Sequence, residues 1–281
     1  MTTLNQSYKE LAIPYFRKVF DIIDEVMLKH AVPYYLIGAT AIALELLKKG
    51  IKPSRGTKDI DFAIMISSLG EYEDIRYSLQ ECGFNKVKAP WTFYAEKYNV
   101  AIDILPYGEI EEGDTLKFNK RYSDLHVLGF REVLEDPEQV YIEEKIANIP
   151  PLPGMIILKL VAWSDRPEER ENDLVDILKI IEHYFDHNFD EIMEHHNDTF
   201  PEDGFDQLLI AAEVLGRKSK QYLQKSEALA ERIKSVLDKN LGNEIESQIA
   251  KEWARIKDWE IAYAFSILNA FQKGLNASTP Q

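Results

Sequence analysis

Residues 34–64 read YYLIGATAIALELLKKGIKPSRGTKDIDFAI. A short apolar run, YYLI, reads as a buried strand that stops at Gly38. The small residues after it open a helical pattern, TAIALELLKKG, with Gly50 near its C-cap. The stretch DIDFAIMI, residues 59–66, then alternates as a strand does. Residues two apart on a strand point the same way, so Asp59 and Asp61 share one face while Ile60 and Phe62 enter the core. Neighbouring carboxylates repel unless water, a proton or a cation stands between them. Magnesium, a hard cation that prefers oxygen ligands, suits such a pair. A polar strand face left in solvent is the alternative reading of the same triplet.

The segment VAIDILP adds a third carboxylate, Asp103, on another alternating strand, with Ile102 and Ile104 on the opposite face. Three aspartates on two adjacent strands can hold two metal ions, the pair that assists an in-line phosphoryl displacement. Gly38, where strand becomes helix, lets backbone N–H groups and a helix N-terminus approach phosphates, and Thr40 offers a hydroxyl.

The chain has 281 residues, 45% hydrophobic and 29% charged, which leaves room for one large domain or two moderate ones. No signal-peptide pattern opens it, and the most apolar run, residues 31–44, is too short for a membrane span. The single cysteine, Cys82, excludes an intrachain disulfide and fits a reducing compartment, so a cytoplasmic protein with no membrane partner is expected. A net charge of −15 argues against extensive non-specific nucleic-acid binding, which needs a basic surface.

Helical spacing predicts an amphipathic helix over residues 5–30 and another over EYEDIRYSLQECG. TFYAEKYNVAIDILPYG reads as two strands around a turn at Tyr98 and Asn99, and TLKF, LHVLGF and QVYIEE as weaker strands. The prolines of NIPPLPG, residues 148–154, mark a boundary between a mixed α/β domain over 1–150 and a helical domain over 151–281. In the second, Pro167 is expected to open a helix, with others near 203–216, 218–240 and 243–273 separated or ended by Gly216, Gly242 and Gly274.

The blocks LIGATAIAL, RGTKDIDFAI and LKLVAWSDRPEERENDLVDILKI fall in order within residues 34–181. Together they resemble the nucleotidyltransferase-fold superfamily, which includes DNA polymerase beta and antibiotic-inactivating nucleotidyltransferases, and within it the AbiEii-type group. The resemblance implies an α+β fold: a mixed sheet flanked by helices, then a C-terminal all-helical bundle that contributes to the cleft. It implies metal ligation by Asp59, Asp61 and Asp103, with Asp103 also the base for the acceptor hydroxyl. It also implies nucleotide binding by Gly38, Ala39, Thr40, Arg55, Lys159 and Arg166, with Asp173 orienting Arg166, Arg170 or Lys159. Two features depart from the family pattern. Ala39 stands where glycine or serine is usual, adding a methyl near the phosphates, and roughly twenty residues separate Gly38 from Asp59.

The histidines His183, His187, His195 and His196 lack the glutamate and the third ligand of a zinc-protease site, so surface histidines are expected. Cys82 reads as a buried thiol and WTFYAEKY as packing. The sequence therefore predicts a magnesium-dependent nucleotidyltransferase, using two Mg2+ ions and a nucleoside triphosphate. Its acceptor hydroxyl would lie on tRNA, a protein or a small molecule, and a toxin role would bring a cognate antitoxin. The alternatives are an antibiotic-modifying transferase and an inactive nucleotide-binding or protein-interaction module.

Overall fold

The computed structural model describes residues 11, 13, 15–52, 59–87, 89–110, 115–116, 125–142, 145–201 and 204–277. The protein is α+β, with a five-stranded mixed sheet and a helical C-terminal region, as the resemblance implies. It divides into two compact units, Met1–Pro151 and Leu152–Gln281.

In the first unit, α1 (Phe16–His30) leads into β1 (Tyr34–Ile37), α2 (Gly38–Lys48), β2 (Asp59–Ile66) and α3 (Leu69–Glu81). Then come β3 (Asn85–Lys86), β4 (Thr92–Ala95) and β5 (Val100–Gly108). The strands lie in the order β1-β2-β5-β4-β3, with β2 and β5 parallel and the other pairs antiparallel. Two short ladders follow: β6 (Thr115–Leu116) with β7 (Leu125–His126), then, after α4 (Phe130–Leu134), β8 (Glu138–Ile142) with β9 (Lys145–Ile149).

Alternation along β2 gives the sheet two distinct faces. Ile60, Phe62, Ile64 and Ile66 are buried, whereas Asp59 and Met65 are exposed and Asp61 is half-buried. Phe20 of α1 stacks on Phe62, and α3 packs against α1 and β2, so the apolar face is covered by helices. The aspartates occupy the other face. A polar triangle ties α1 to two ladders: the Tyr34 hydroxyl donates to Asp24 at 2.6 Å, and Lys145 Nζ reaches the other oxygen of Asp24 at 2.6 Å.

Several sequence expectations shift. The first helix begins at Phe16, because Tyr15 takes a left-handed conformation (φ 58) that no helix interior accepts; residues 5–10 lie outside the described residues. LHVLGF supplies only the two-residue β7 before the chain turns at Gly129 into α4. Asn99 is left-handed (φ 50) and closes the turn between β4 and β5, as expected.

The second unit holds α5 (Leu152–Asp165), α6 (Glu171–His187), α7 (Phe189–His195), α8 (Gln207–Leu223), α9 (Glu227–Leu241), α10 (Gln248–Lys257) and α11 (Ile261–Asn276). Pro167 opens no helix. It sits in the turn between α5 and α6, where Glu169 N–H bonds the Arg166 carbonyl. The helix expected near 243–273 is divided into α10 and α11, since left-handed Asp258 (φ 56) ends α10. No helix among the described residues is long and apolar enough to cross a membrane.

Gly216 and Gly274 end nothing. Both lie inside helices, where α8 and α11 cross backbone to backbone. A Cβ at Gly216 would fall 2.1 Å from the Phe271 carbonyl oxygen, and one at Gly274 would fall 2.0 Å from that of Glu213. Backbone cannot yield as a flexible side chain can. Gly216→Ala should therefore destabilise the protein by roughly 1–3 kcal/mol in urea unfolding. Gly242→Ala, whose Cβ would meet only the Asp238 oxygen at 3.4 Å, should be nearly neutral; equal costs would contradict this packing.

Candidate active site

The aspartate face is built by register. Parallel pairing sets Asp61 of β2 opposite Asp103 of β5. On the outer side of β2, Ile37 pairs with Asp61, and on the outer side of β5, Thr92 pairs with Asp103. One row across four strands thus reads Ile37, Asp61, Asp103, Thr92. The next row on the same face, two residues along, holds Asp59, Ala101 and Tyr94. Asp61 and Asp103 are half-buried and Asp59 is exposed. The Thr92 hydroxyl donates to Asp103 Oδ1 at 2.6 Å.

Gly38 stands over this row because α2 begins immediately after β1. Its backbone is left-handed (φ +67), and a Cβ there would lie 2.1 Å from Asp61 Oδ2. Glycine is thus demanded twice, by conformation and by the carboxylate that fills the space a side chain would take. Gly38 and Ala39 remain partly exposed. The α2 N-terminus has no side-chain cap from its N-cap residue and no acidic residue in its first turn, and the carboxylate beside it is Asp61 of β2. Thr40 is fully buried, and its Oγ1 finds no hydrogen-bond partner among the described residues. The other end of α2 closes at Gly50 (φ +82) through paired bonds, Gly50 N–H to Leu47 O and Ile51 N–H to Leu46 O.

Oxygen donors from adjacent strands have the chemistry a hard divalent cation selects. Among the described residues, however, no three or more His, Cys, Asp or Glu side chains form a group that could hold a metal ion. Asp61 and Asp103 are the in-register pair. Asp59 shares their face one row away, so three carboxylates on one face are not by themselves a three-ligand cluster. Magnesium characteristically keeps substrate phosphates and water among its ligands and takes only one or two carboxylates, so the pair fits that ion.

The residues implied at greater sequence distance fall in the second unit. Lys159 of α5 lies between Asp173 and Asp176 of α6, 2.7 Å from each. Burial pushes the Lys159 ammonium down, but the two carboxylates outweigh it and the net shift is upward. Asp173 and Asp176 are both buried. Asp173 also accepts from Arg170 at 3.4 Å, while Arg166 turns to Glu169 at 3.4 Å. Lys159 is therefore a clamp between α5 and α6, and any phosphate would compete with two carboxylates for it. Arg55 lies outside the described residues.

Cys82 corrects another expectation. It is exposed at the end of α3, and partial burial with Glu25 and Glu81 nearby pushes its thiol up, away from thiolate chemistry. Sequence reasoning missed Thr92 and Glu45. Thr92 carries no motif, and only pairing with β5 reveals it. Glu45 is an acidic residue on the buried face of α2, 3% exposed. Burial and Glu138 push its carboxyl up to about 7, against the pull of Lys48 and Lys49.

Residues 27–259 match the family profile described as Nucleotidyl transferase AbiEii toxin, Type IV TA system. No curated protein was found to match the chain. Among solved structures, an antigenic nucleotidyltransferase-like protein from Paracoccidioides brasiliensis is similar at 14% identity and TM-score 0.41, covering 82% of this chain and 94% of that one. ANT(2")-Ia in complex with adenylyl-2"-tobramycin is similar at 12% identity and TM-score 0.37, covering 77% and 97%. The Thermotoga maritima CCA-adding enzyme complexed with tRNA is similar at 14% identity and TM-score 0.32, covering 96% and 66%. Scores of this size leave the family match to carry the assignment.

Two predictions arise from α2. Gly38→Ala should cost roughly 1–3 kcal/mol in the wild-type background and distinctly less beside Asp61→Ala, which removes the clashing carboxylate. A double-mutant cycle by chemical unfolding checks the coupling, and additive costs would contradict it. For Glu45, the unfolded carboxyl titrates near 4.5 and the folded one near 7. Its contribution is thus complete below about pH 4.5 and lost as pH rises through 7. Glu45→Gln should match the wild type at pH 4 and exceed its stability by about 1–3 kcal/mol at pH 8. Urea titrations across that range check it.

Proposed function

The chain belongs to the AbiEii nucleotidyltransferase family, and from that premise we propose that it is a magnesium-dependent enzyme moving a nucleoside monophosphate from a triphosphate to an acceptor hydroxyl. The observation that carries this reading is the Asp61–Asp103 register beside the glycine-opened start of α2. Asp61 and Asp103 would hold the cation, with Asp59 joining on the same face. Bound there, magnesium would neutralise phosphate charge and stabilise the departing oxygen.

The remaining roles belong to the chain. The partly exposed backbone of Gly38 and Ala39 receives phosphate oxygens at the positive end of the α2 dipole. The Ala39 methyl narrows this approach without removing the N–H donors. Asp103 accepts the proton of the acceptor hydroxyl, whose oxygen then bonds to the α-phosphorus. The bond from that phosphorus to the bridging oxygen breaks, and pyrophosphate leaves. The acceptor is an RNA 3′ end, a protein or a small molecule, and the net charge of −15 disfavours long non-specific tracking of nucleic acid. The family description supports a toxin role, with a cognate antitoxin as its counterpart.

Incubation with each α-labelled triphosphate, Mg2+ and cell extract should move label into one of the RNA, protein or small-molecule fractions. Asp61→Asn and Asp103→Asn should each lower that transfer by roughly a hundredfold or more while the fold is retained. Undiminished labelling by both variants would refute the proposal.

A further inference from the structure

We infer that Thr92 is a positioning residue for the transfer: its hydroxyl fixes the Asp103 carboxylate from the strand opposite the one that carries Asp61. The inference rests on the proposed function and adds to it a residue outside every motif of the resemblance.

In the sheet, β5 lies between β2 and β4. Asp103 therefore has a like charge across one side, on Asp61, and a hydroxyl donor across the other, on Thr92. Repulsion from Asp61 acts on Asp103 whenever no cation stands between them. A side chain with free χ angles would answer by swinging away and would have to be drawn back at each binding event. The 2.6 Å bond from Thr92 to Oδ1 removes that freedom while adding no charge of its own. A lysine or arginine in its place would compete with the cation for the carboxylate; a hydroxyl leaves the charge available.

The donor is itself held. Threonine is β-branched, with restricted χ1 on a strand. Its backbone is tied on both sides: Val87 N–H donates to the Thr92 carbonyl at 3.3 Å, and Ile104 N–H donates to the Trp91 carbonyl at 2.8 Å. Behind the sheet, the buried Tyr72 hydroxyl of α3 lies 3.3 Å from the Pro90 carbonyl oxygen and 3.2 Å from that of Ile104. Tyr72 thus links the chain just before Thr92 to the residue after Asp103. Hydroxyl and carboxylate are locked as one unit, and preorganisation of this kind favours both cation binding and proton transfer.

The test compares Thr92→Val, which keeps the shape and loses the donor, with Thr92→Ser, which keeps the donor. Mn2+ binding is followed by electron paramagnetic resonance without nucleotide, and label transfer is measured separately. In Thr92→Val, the half-saturating Mn2+ concentration should rise about tenfold and kcat fall about tenfold, with KM for the triphosphate within about twofold. Thr92→Ser should stay within about threefold of wild type in both. Wild-type behaviour of Thr92→Val, or equal damage in Thr92→Ser, overturns the positioning role while leaving the proposed function intact. A wild-type protein with neither Asp61-dependent Mn2+ binding nor transfer overturns both.

Discussion

Parallel pairing of β2 with β5 is the constraint on which the rest of the site depends. Strand pairing admits no partial register: a slip by one residue would send Asp61 or Asp103 to the opposite face and an isoleucine into its place. The apolar face holds the register. Ile60, Phe62 and Ile64 on β2 and Ile102 and Ile104 on β5 are wholly buried, and Phe20 of α1 stacks against Phe62. The hydrophobic effect on one side of the sheet thereby sets two carboxylates side by side on the other, where they would not choose to stand.

Around that pair the protein supplies a close backbone approach and a hydroxyl donor. Gly38 keeps its backbone against the Asp61 carboxylate, and the first turn of α2 carries no acid of its own. Thr92 meets Asp103 from the other side. Neither the Gly38 backbone nor the Thr92 hydroxyl carries a full positive charge. Farther along α2, Glu45 shows the opposite treatment: a carboxyl buried beside Glu138 is held close to neutrality rather than exposed.

The helical unit follows a different logic. Lys159, Asp173 and Asp176 form a buried ion triad that joins α5 to α6, with Arg170 at its margin. Opposite charges meet there at full value, so the groups are spent on each other. At the α8–α11 crossing two glycines let the backbones approach closely, and beside them buried Glu213 of α8 pairs with Lys273 of α11 at 2.7 Å.

Much of this was legible in one dimension. Period-two alternation in DIDFAIMI and VAIDILP determined that three aspartates share sheet faces with isoleucines opposite, because side-chain direction on a strand follows from backbone geometry alone. The break at Gly38 and the closure at Gly50 were equally local. What tertiary structure decided was every relation between segments: that Asp61 faces Asp103 while Asp59 stands a row away, that Thr92 reaches Asp103, that Lys159 is taken by two carboxylates, and that Gly216 and Gly274 lie inside helices. Such facts escape a sequence pattern because they depend on register and helix crossing, and those are chosen by the packing of apolar faces distant along the chain.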